Sequence, residues 1–228
     1  MFVSRQKTSR IHCIRCGTCC IKGGATLHEE DATLFSKGIL EIAHVYVLRK
    51  GEVVRNIDDT LMVLEQEIIK IKGQGKARTC MFLDDEQKAC EVYEHRPAEC
   101  RALKCWDLRG FEEVMAKPSL QRRDLIKQDD GINKIIGAHE QRCSYSALES
   151  AVNELGRPDS DKAAEKILDI LRYDHHVRSF LAEKLKVDPN AMDFFFGRPL
   201  TTTIRMFGIC VRQEGYDFLL APIEPHVS

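Results

Sequence analysis

The chain lacks a dominant charge, a long apolar run and a catalytic signature, and each absence narrows what it can be. Lys and Arg number 34 against 35 Asp and Glu, so no global field argues for nucleic acid or an anionic membrane surface. No apolar run approaches the ~20 residues needed to span a bilayer. The stretch MFVSRQKTSRIHC carries basic residues with no apolar segment behind them. A secretory signal is therefore not expected, and a reducing cytoplasm is the expected compartment. Internal repeats and low-complexity linkers are absent, as are G-x-S-x-G, H-E-x-x-H and a Ser-His-Asp order. KGQGKARTC holds a lone G-x-G without the context of a phosphate loop. The C-x₃-C-x₂-C spacing associated with radical S-adenosylmethionine enzymes is missing too.

What is present is cysteine. There are ten, eight of them before residue 106, and in a cytoplasmic chain such clustering points to metal before disulfides. HCIRCGTCCIKGG places Cys13, Cys16, Cys19 and Cys20 within eight positions. A second group, Cys80, Cys90, Cys100 and Cys105, lies in CMFLDDEQKACEVYEHRPAECRALKCW. Thiolates select zinc, iron–sulfur clusters or copper(I). The first three cysteines suit a tight loop aimed at one centre, with Gly17 permitting the turn. A four-thiolate zinc site usually takes two separated short pairs, and the second group contains no short pair. In extended backbone, neighbouring side chains point to opposite faces. Cys19 and Cys20 would then serve two sites or a multinuclear one, or one of them would simply be buried. Arg96, Arg101 and Lys104 flank the second group. They would offset thiolate charge, or else Arg96 and Arg101 pair with Glu94 and Glu99. His12 and His95 flank the two groups as candidate hydrogen-bond donors to the ligating sulfurs, not as ligands themselves.

The remaining chemistry-bearing residues read as core. His139 and Cys143 share one helix face with Ile132, Ile135 and Ile136, where a core histidine beside a core thiol outweighs a metal pair. His175 lies on the face of Leu168 and Leu171, His176 reads as solvated, and Cys210 as a buried strand residue.

Local patterns predict an α+β fold, mostly helical, with an irregular cysteine-rich core, a few short strands and a helical C-terminal half. Thr26 and Glu29 stand in capping-box spacing ahead of a helix over 27–37. ILEIAHVYVLRKGE shows helical spacing, and IIKIKG suggests a strand ending at Gly73. DDEQ should turn the chain between two extended pieces, and Pro97 should open a helix. INKIIGAHEQRCSYSALESAVNEL and DKAAEKILDILRYDHHVRSFLAEKL read as amphipathic helices, and TTTIRMFGICVRQEGYDFLLAP as strand and turn. The composition shift puts a cysteine-cluster region at 1–117 and a mainly helical one at 118–228.

CIRCGTCC, with C-x₉-CEVYEHRPAECR, resembles the CxxCxxCC cysteine-cluster family (YkgJ-like proteins, described as zinc- or iron-chelating and often as Fe–S proteins). The resemblance spans about residues 13–106. It rests on Gly17, Cys19 and Cys20, then Cys80, Phe82, Leu83, Cys90, Tyr93, Arg96, Pro97, Cys100 and Arg101. It implies that the cysteines are metal ligands. Many members continue from the Cys-Arg pair into an aromatic-proline segment where this chain has ALKCWD, so the resemblance carries over to Cys105 less closely than to Cys100. Some relatives sit in a protein-lysine methylating enzyme of flagella, which leaves modification chemistry open by analogy. An iron or Fe–S centre in redox or modification chemistry is the leading expectation. A structural zinc site in an interaction module is the alternative. A protein or small-molecule partner is expected, and neither nucleic acid nor membrane.

Overall fold

The computed structural model describes residues 11–55, 60–75, 78–127, 131–158, 160–214 and 217–223; the basic N-terminal stretch lies outside them up to Arg10. The chain forms two compact units, each built from two pieces: Met1–Glu41 with Lys70–Leu120, and Ile42–Ile69 with Gln121–Ser228. The second piece of the first unit ends at Leu120, and residues 42–69 belong to the second unit.

In chain order the elements begin with the one-turn α1 (Thr18–Ile21), then a 3₁₀ turn at Glu29–Asp31 that runs into α2 (Ala32–Ser36). A second 3₁₀ turn, Ile42–His44, leads to β1 (Val45–Leu48), β2 (Val53–Arg55), β3 (Leu61–Val63) and β4 (Ile68–Ile71). The short hairpin of β5 (Leu83–Asp84) and β6 (Ala89–Cys90) precedes α3 (Ala98–Ala102) and α4 (Arg109–Met115). Helices α5 (Arg122–Leu125), α6 (Gly131–Arg142), α7 (Tyr145–Glu154) and α8 (Ser160–Lys184) follow. After α9 (Met192–Phe196) and α10 (Leu200–Thr203), the chain ends in the hairpin of β7 (Ile209–Glu214) and β8 (Asp217–Pro222). The sheets are two-stranded: β1 with β4, β2 with β3, β5 with β6 and β7 with β8. The fold is α+β and mostly helical, and among the described residues no helix is long and apolar enough to cross a membrane.

Several local expectations shift. ILEIAHVYVLRKGE is a 3₁₀ turn and a strand, not a helix. Its β-branched VYVL run alternates, burying Val45 and Val47 completely, and packing on a pleated surface outweighs the helical spacing. The cap expected at Thr26 moves two residues on, where the His28 N–H donates to Asp31 Oδ2 at 3.0 Å. Pro97 stands one residue ahead of α3. The helix expected over 132–155 breaks at Ser144, which adopts an extended conformation and caps α7 by accepting the Ala147 N–H. TTTIRMF is helical, and only the residues after it form the hairpin. DDEQ turns as expected, with Asp84 Oδ1 accepting the Glu86 and Gln87 N–H groups.

The second unit has a conventional core. Leu148, Ile167, Leu171, Leu200 and Ile204 are fully buried together, and Ile136, Val177, Leu181, Met192 and Phe196 form a second cluster. Each such side chain contributes roughly 1.5–3 kcal/mol. Charge is buried there as well. Arg49 is 1% exposed, makes a two-pronged bond to Glu140 through Nε and Nη2, and donates to the Cys143 carbonyl at 2.9 Å. Gly197, at φ +72°, lies against this arginine: a Cβ there would stand 2.5 Å from Arg49 Cδ. Arg122 binds Glu67 and Glu140, and Arg198 binds Glu52.

The first unit has little regular structure. Leu27, Leu34, Leu40, Ile71, Phe82, Leu83, Ala98 and Leu120 are among its buried apolar residues. The chain closes on itself where the Leu120 N–H donates to the Leu27 carbonyl at 2.9 Å.

Candidate metal centre

Both cysteine groups fall in the first unit. Gly17 takes the left-handed conformation, φ +71°, and opens α1, as a turn between ligands requires. It is pressed on the second group, since a Cβ there would meet Leu83 Cδ1 at 3.3 Å. Cys19 and Cys20 therefore sit on one turn of helix, not on extended backbone. Their sulfurs lie 4.0 Å apart, which corrects the expectation that they face opposite ways.

Backbone pairing brings the second group to the first. The Cys80 N–H donates to the Cys20 carbonyl at 2.8 Å, and Gly73 and Cys80 form a β-bridge. Cys90 pairs with Leu83 across the β5–β6 hairpin, and Cys100 lies in α3.

The electrostatics show which sulfurs share one neighbourhood. The hydrogen bond from the Cys20 thiol lowers Cys19 to about 6, with the positive charge of Arg96 assisting. The same bond, then burial, keeps the proton on Cys20. Burial raises Cys80 and Cys90, and the charge of Cys19 adds to both. Cys100 is pushed up to about 12 by burial, then by Cys80, Cys19 and Cys90. Cys19 is thus within electrostatic reach of Cys20, Cys80, Cys90 and Cys100. The other three candidates, Cys13, Cys16 and Cys105, are exposed, as is Cys19. The Cys13 sulfur accepts the Arg15 N–H at 3.4 Å, and the Cys16 sulfur lies 3.2 Å from Thr18 Oγ1.

Among the described residues, no three His, Cys, Asp or Glu side chains stand together as a ready-made metal site. The gathered thiols nonetheless suit a soft cation. Thiols that feel the charge of Cys19 cannot all ionise together, and a divalent metal would remove that obstacle. The Cys19–Cys20 separation of 4.0 Å is close to the edge of a tetrathiolate tetrahedron, about 3.8 Å for metal–sulfur bonds of ~2.3 Å.

The flanking cations divide. Arg96 stacks on Tyr93, its Cζ 3.7 Å from the ring centroid, and Arg15 stacks on the same ring at 3.8 Å. Arg101 binds Glu30 at 2.9 Å and donates to the Arg96 carbonyl. Glu94 stands 3.8 Å from Arg15, and Glu99 turns inward to His28, so neither is the partner expected from local sequence. Lys104 meets Asp107 through the backbone, its carbonyl accepting the Asp107 N–H at 2.9 Å, while the Asp107 carboxylate pairs with Arg109. His12 and His95 are exposed.

A buried polar group escaped the sequence reading. Glu99 accepts the Thr26 N–H at 2.7 Å and lies 3.5 Å from His28 Nε2. Lys70 donates to Thr26 Oγ1 at 3.1 Å. Burial lowers its pKa, against the opposing pull of Glu99 and Cys100. The available signals were a lysine inside the apolar IIKI strand and a histidine following the buried Leu27.

His139 and Cys143, in the second unit, are core. His139 Nε2 binds Asp174 Oδ1 at 2.7 Å, and the Cys143 thiol donates to the Ile170 carbonyl at 3.6 Å. Cys143 is pushed up to about 12 by burial. His175 packs edge-on against Phe218, His176 is exposed, and Cys210 is half-buried in β7.

An uncharacterized protein of Methanocaldococcus jannaschii is 29% identical to this chain over 90 residues, 40% of the chain. The chain spans 42% of that relative's length. No solved structure matches it. Residues 12–143, more than half of the chain and the whole cysteine constellation, match the family described as "Putative zinc- or iron-chelating domain", and the protein belongs to this CxxCxxCC family.

Proposed function

We propose that the first unit is a metal-binding module with one zinc or iron centre, held by thiolates drawn from Cys19, Cys20, Cys80, Cys90 and Cys100. Cys19 and Cys20 bind the same ion. The observation that carries this reading is their 4.0 Å sulfur separation, inside a set whose members all respond to the charge of Cys19. Cys19, lowered to about 6, supplies the thiolate available first at neutral pH. Arg96 offsets the negative charge of the assembled sulfurs. The metal supplies a cross-link between chain segments and, if it is iron, a redox couple for electron transfer or modification chemistry on a protein or small-molecule partner.

Anaerobic purification, metal and sulfide analysis and a visible spectrum test this. One zinc per chain in a colourless protein, or one iron with thiolate-to-metal absorption and no sulfide, is the expected result. Several irons with inorganic sulfide would replace the single ion with a cluster, and a metal-free chain would end the proposal. Cys19→Ser and Cys100→Ser should lose the metal while Cys210→Ser keeps it. Equal retention in all three would refute the ligand assignment.

A further inference from the structure

The Cys13–Cys16 loop is exposed, yet it is tied down at one point. Arg15, within that loop, and Arg96, between Cys90 and Cys100, have their guanidinium carbons 3.8 and 3.7 Å from the centroid of the Tyr93 ring. Two guanidinium groups that close to one centroid would overlap on a single face, so they occupy opposite faces. Tyr93 is the filling of an arginine sandwich that joins the first cysteine group to the second.

The sandwich is anchored on one side and held under strain on the other. Arg96 Nε donates to the Tyr93 carbonyl at 2.8 Å, and Arg101, itself bound to Glu30, donates to the Arg96 carbonyl. On the loop side, Arg15 sits at φ +54°, a conformation that L-residues adopt only where their surroundings enforce it. Its N–H points to the Cys13 sulfur. The carboxylate beside the two stacked cations, Glu94, is 3.8 Å from Arg15 and highly exposed, so it neutralises little. The positive charge of Arg96 acts instead on Cys19 and Cys90. Two guanidinium groups across one ring repel each other unless negative charge stands nearby, and a thiolate centre carries that charge when it is loaded.

We propose that Tyr93 is a positioning residue which, clamped between Arg15 and Arg96, carries the Cys13–Cys16 loop to the thiolate centre. The coupling is reciprocal: loading the centre tightens the clamp, and the clamp strengthens loading. The inference rests on the reading of the cysteine set as a metal centre, and it adds a role for two residue types that bind no metal.

The test is a titration of the full-length reduced chain with Co²⁺, followed by thiolate-to-cobalt absorption and by competition with Zn²⁺. Tyr93→Phe keeps the ring and should bind as the parent does. Tyr93→Leu should lose about 10–100-fold in affinity, the range for groups that orient ligands. Arg15→Gln, at an exposed position, should weaken Co²⁺ binding in the same direction. Adding Tyr93→Leu to it should cost less than the sum of the two. Parent-like binding by Tyr93→Leu and Arg15→Gln would overturn the clamp alone. Equal losses in Tyr93→Phe and Tyr93→Leu would overturn the stacking argument. A parent chain that takes up neither Co²⁺ nor Zn²⁺ would overturn the metal centre itself.

Discussion

The second unit buries charge and closes the account within itself, whereas the first gathers charge-bearing groups and leaves their balance open. Asp174, 2% exposed, accepts from His139 Nε2, Arg178 Nε and the Leu200 N–H. Burial alone would raise its pKa, yet these partners hold it below the ordinary carboxylate range. Glu140 is held low in the same way by Arg49 and Arg122. In the first unit, burial and mutual charge raise Cys80, Cys90 and Cys100 together. Arg96 is the cation that counters this at Cys90. The second unit balances its buried carboxylates with its own cations; in the first, the proposed metal would supply the balance.

The contrast can be broken from either side. The largest effect is expected from Asp174→Ala, which takes the acceptor away from the buried His139 Nε2 and from the Leu200 N–H, and removes one partner of Arg178. Removing one partner of such a network costs about 3–5 kcal/mol, measured as a lower midpoint in urea. Stripping the metal with a strong chelator is expected to act on the first unit alone. For a metal present at a hundred times its dissociation constant, the loss is about 2.7 kcal/mol. Hydrogen exchange should then quicken about 100-fold at the amides of α1 and α3 and stay unchanged in α8. Equal quickening in both units would erase the comparison.

The smallest effect is a pH dependence. Burial first, then the charges of Arg49 and Arg178, lower the pKa of His139 against the pull of Asp174. The imidazole is therefore neutral when folded and takes up a proton on unfolding. The unfolded state binds more protons below about pH 6.5, so stability falls as pH drops through that value. Between pH 7 and 5.5 the loss is about 1 kcal/mol at most. His139→Gln should flatten that part of the urea-midpoint profile, and an unchanged slope would place the proton elsewhere.

How much was legible depended on the range of the forces involved. α8 was readable almost to its ends, because twenty-five residues of 3.6-residue periodicity outweigh any local accident. The β5–β6 turn was readable because Asp84 folds it locally. β1 was not, since VYVL becomes a strand through packing that the segment does not contain. The same holds for Lys70, Thr26 and Glu99, which meet across up to 73 positions. The cysteine cluster announced itself by spacing. That Cys19 and Cys20 share a helical turn, and so can share an ion, depended on the backbone at Gly17.

The placement of residues 42–69 in the second unit has a consequence for the chain as it is made. Cys80 follows Cys20 by sixty positions, and at roughly 5–20 residues per second a ribosome needs about 3–12 s to cross that interval. On the proposed ligand set, Cys19 and Cys20 stand in the nascent chain for those seconds without the sulfurs that complete it. Oxidation and premature metal capture compete for them in that window, so the yield of correctly loaded protein should depend on translation speed between codons 20 and 80.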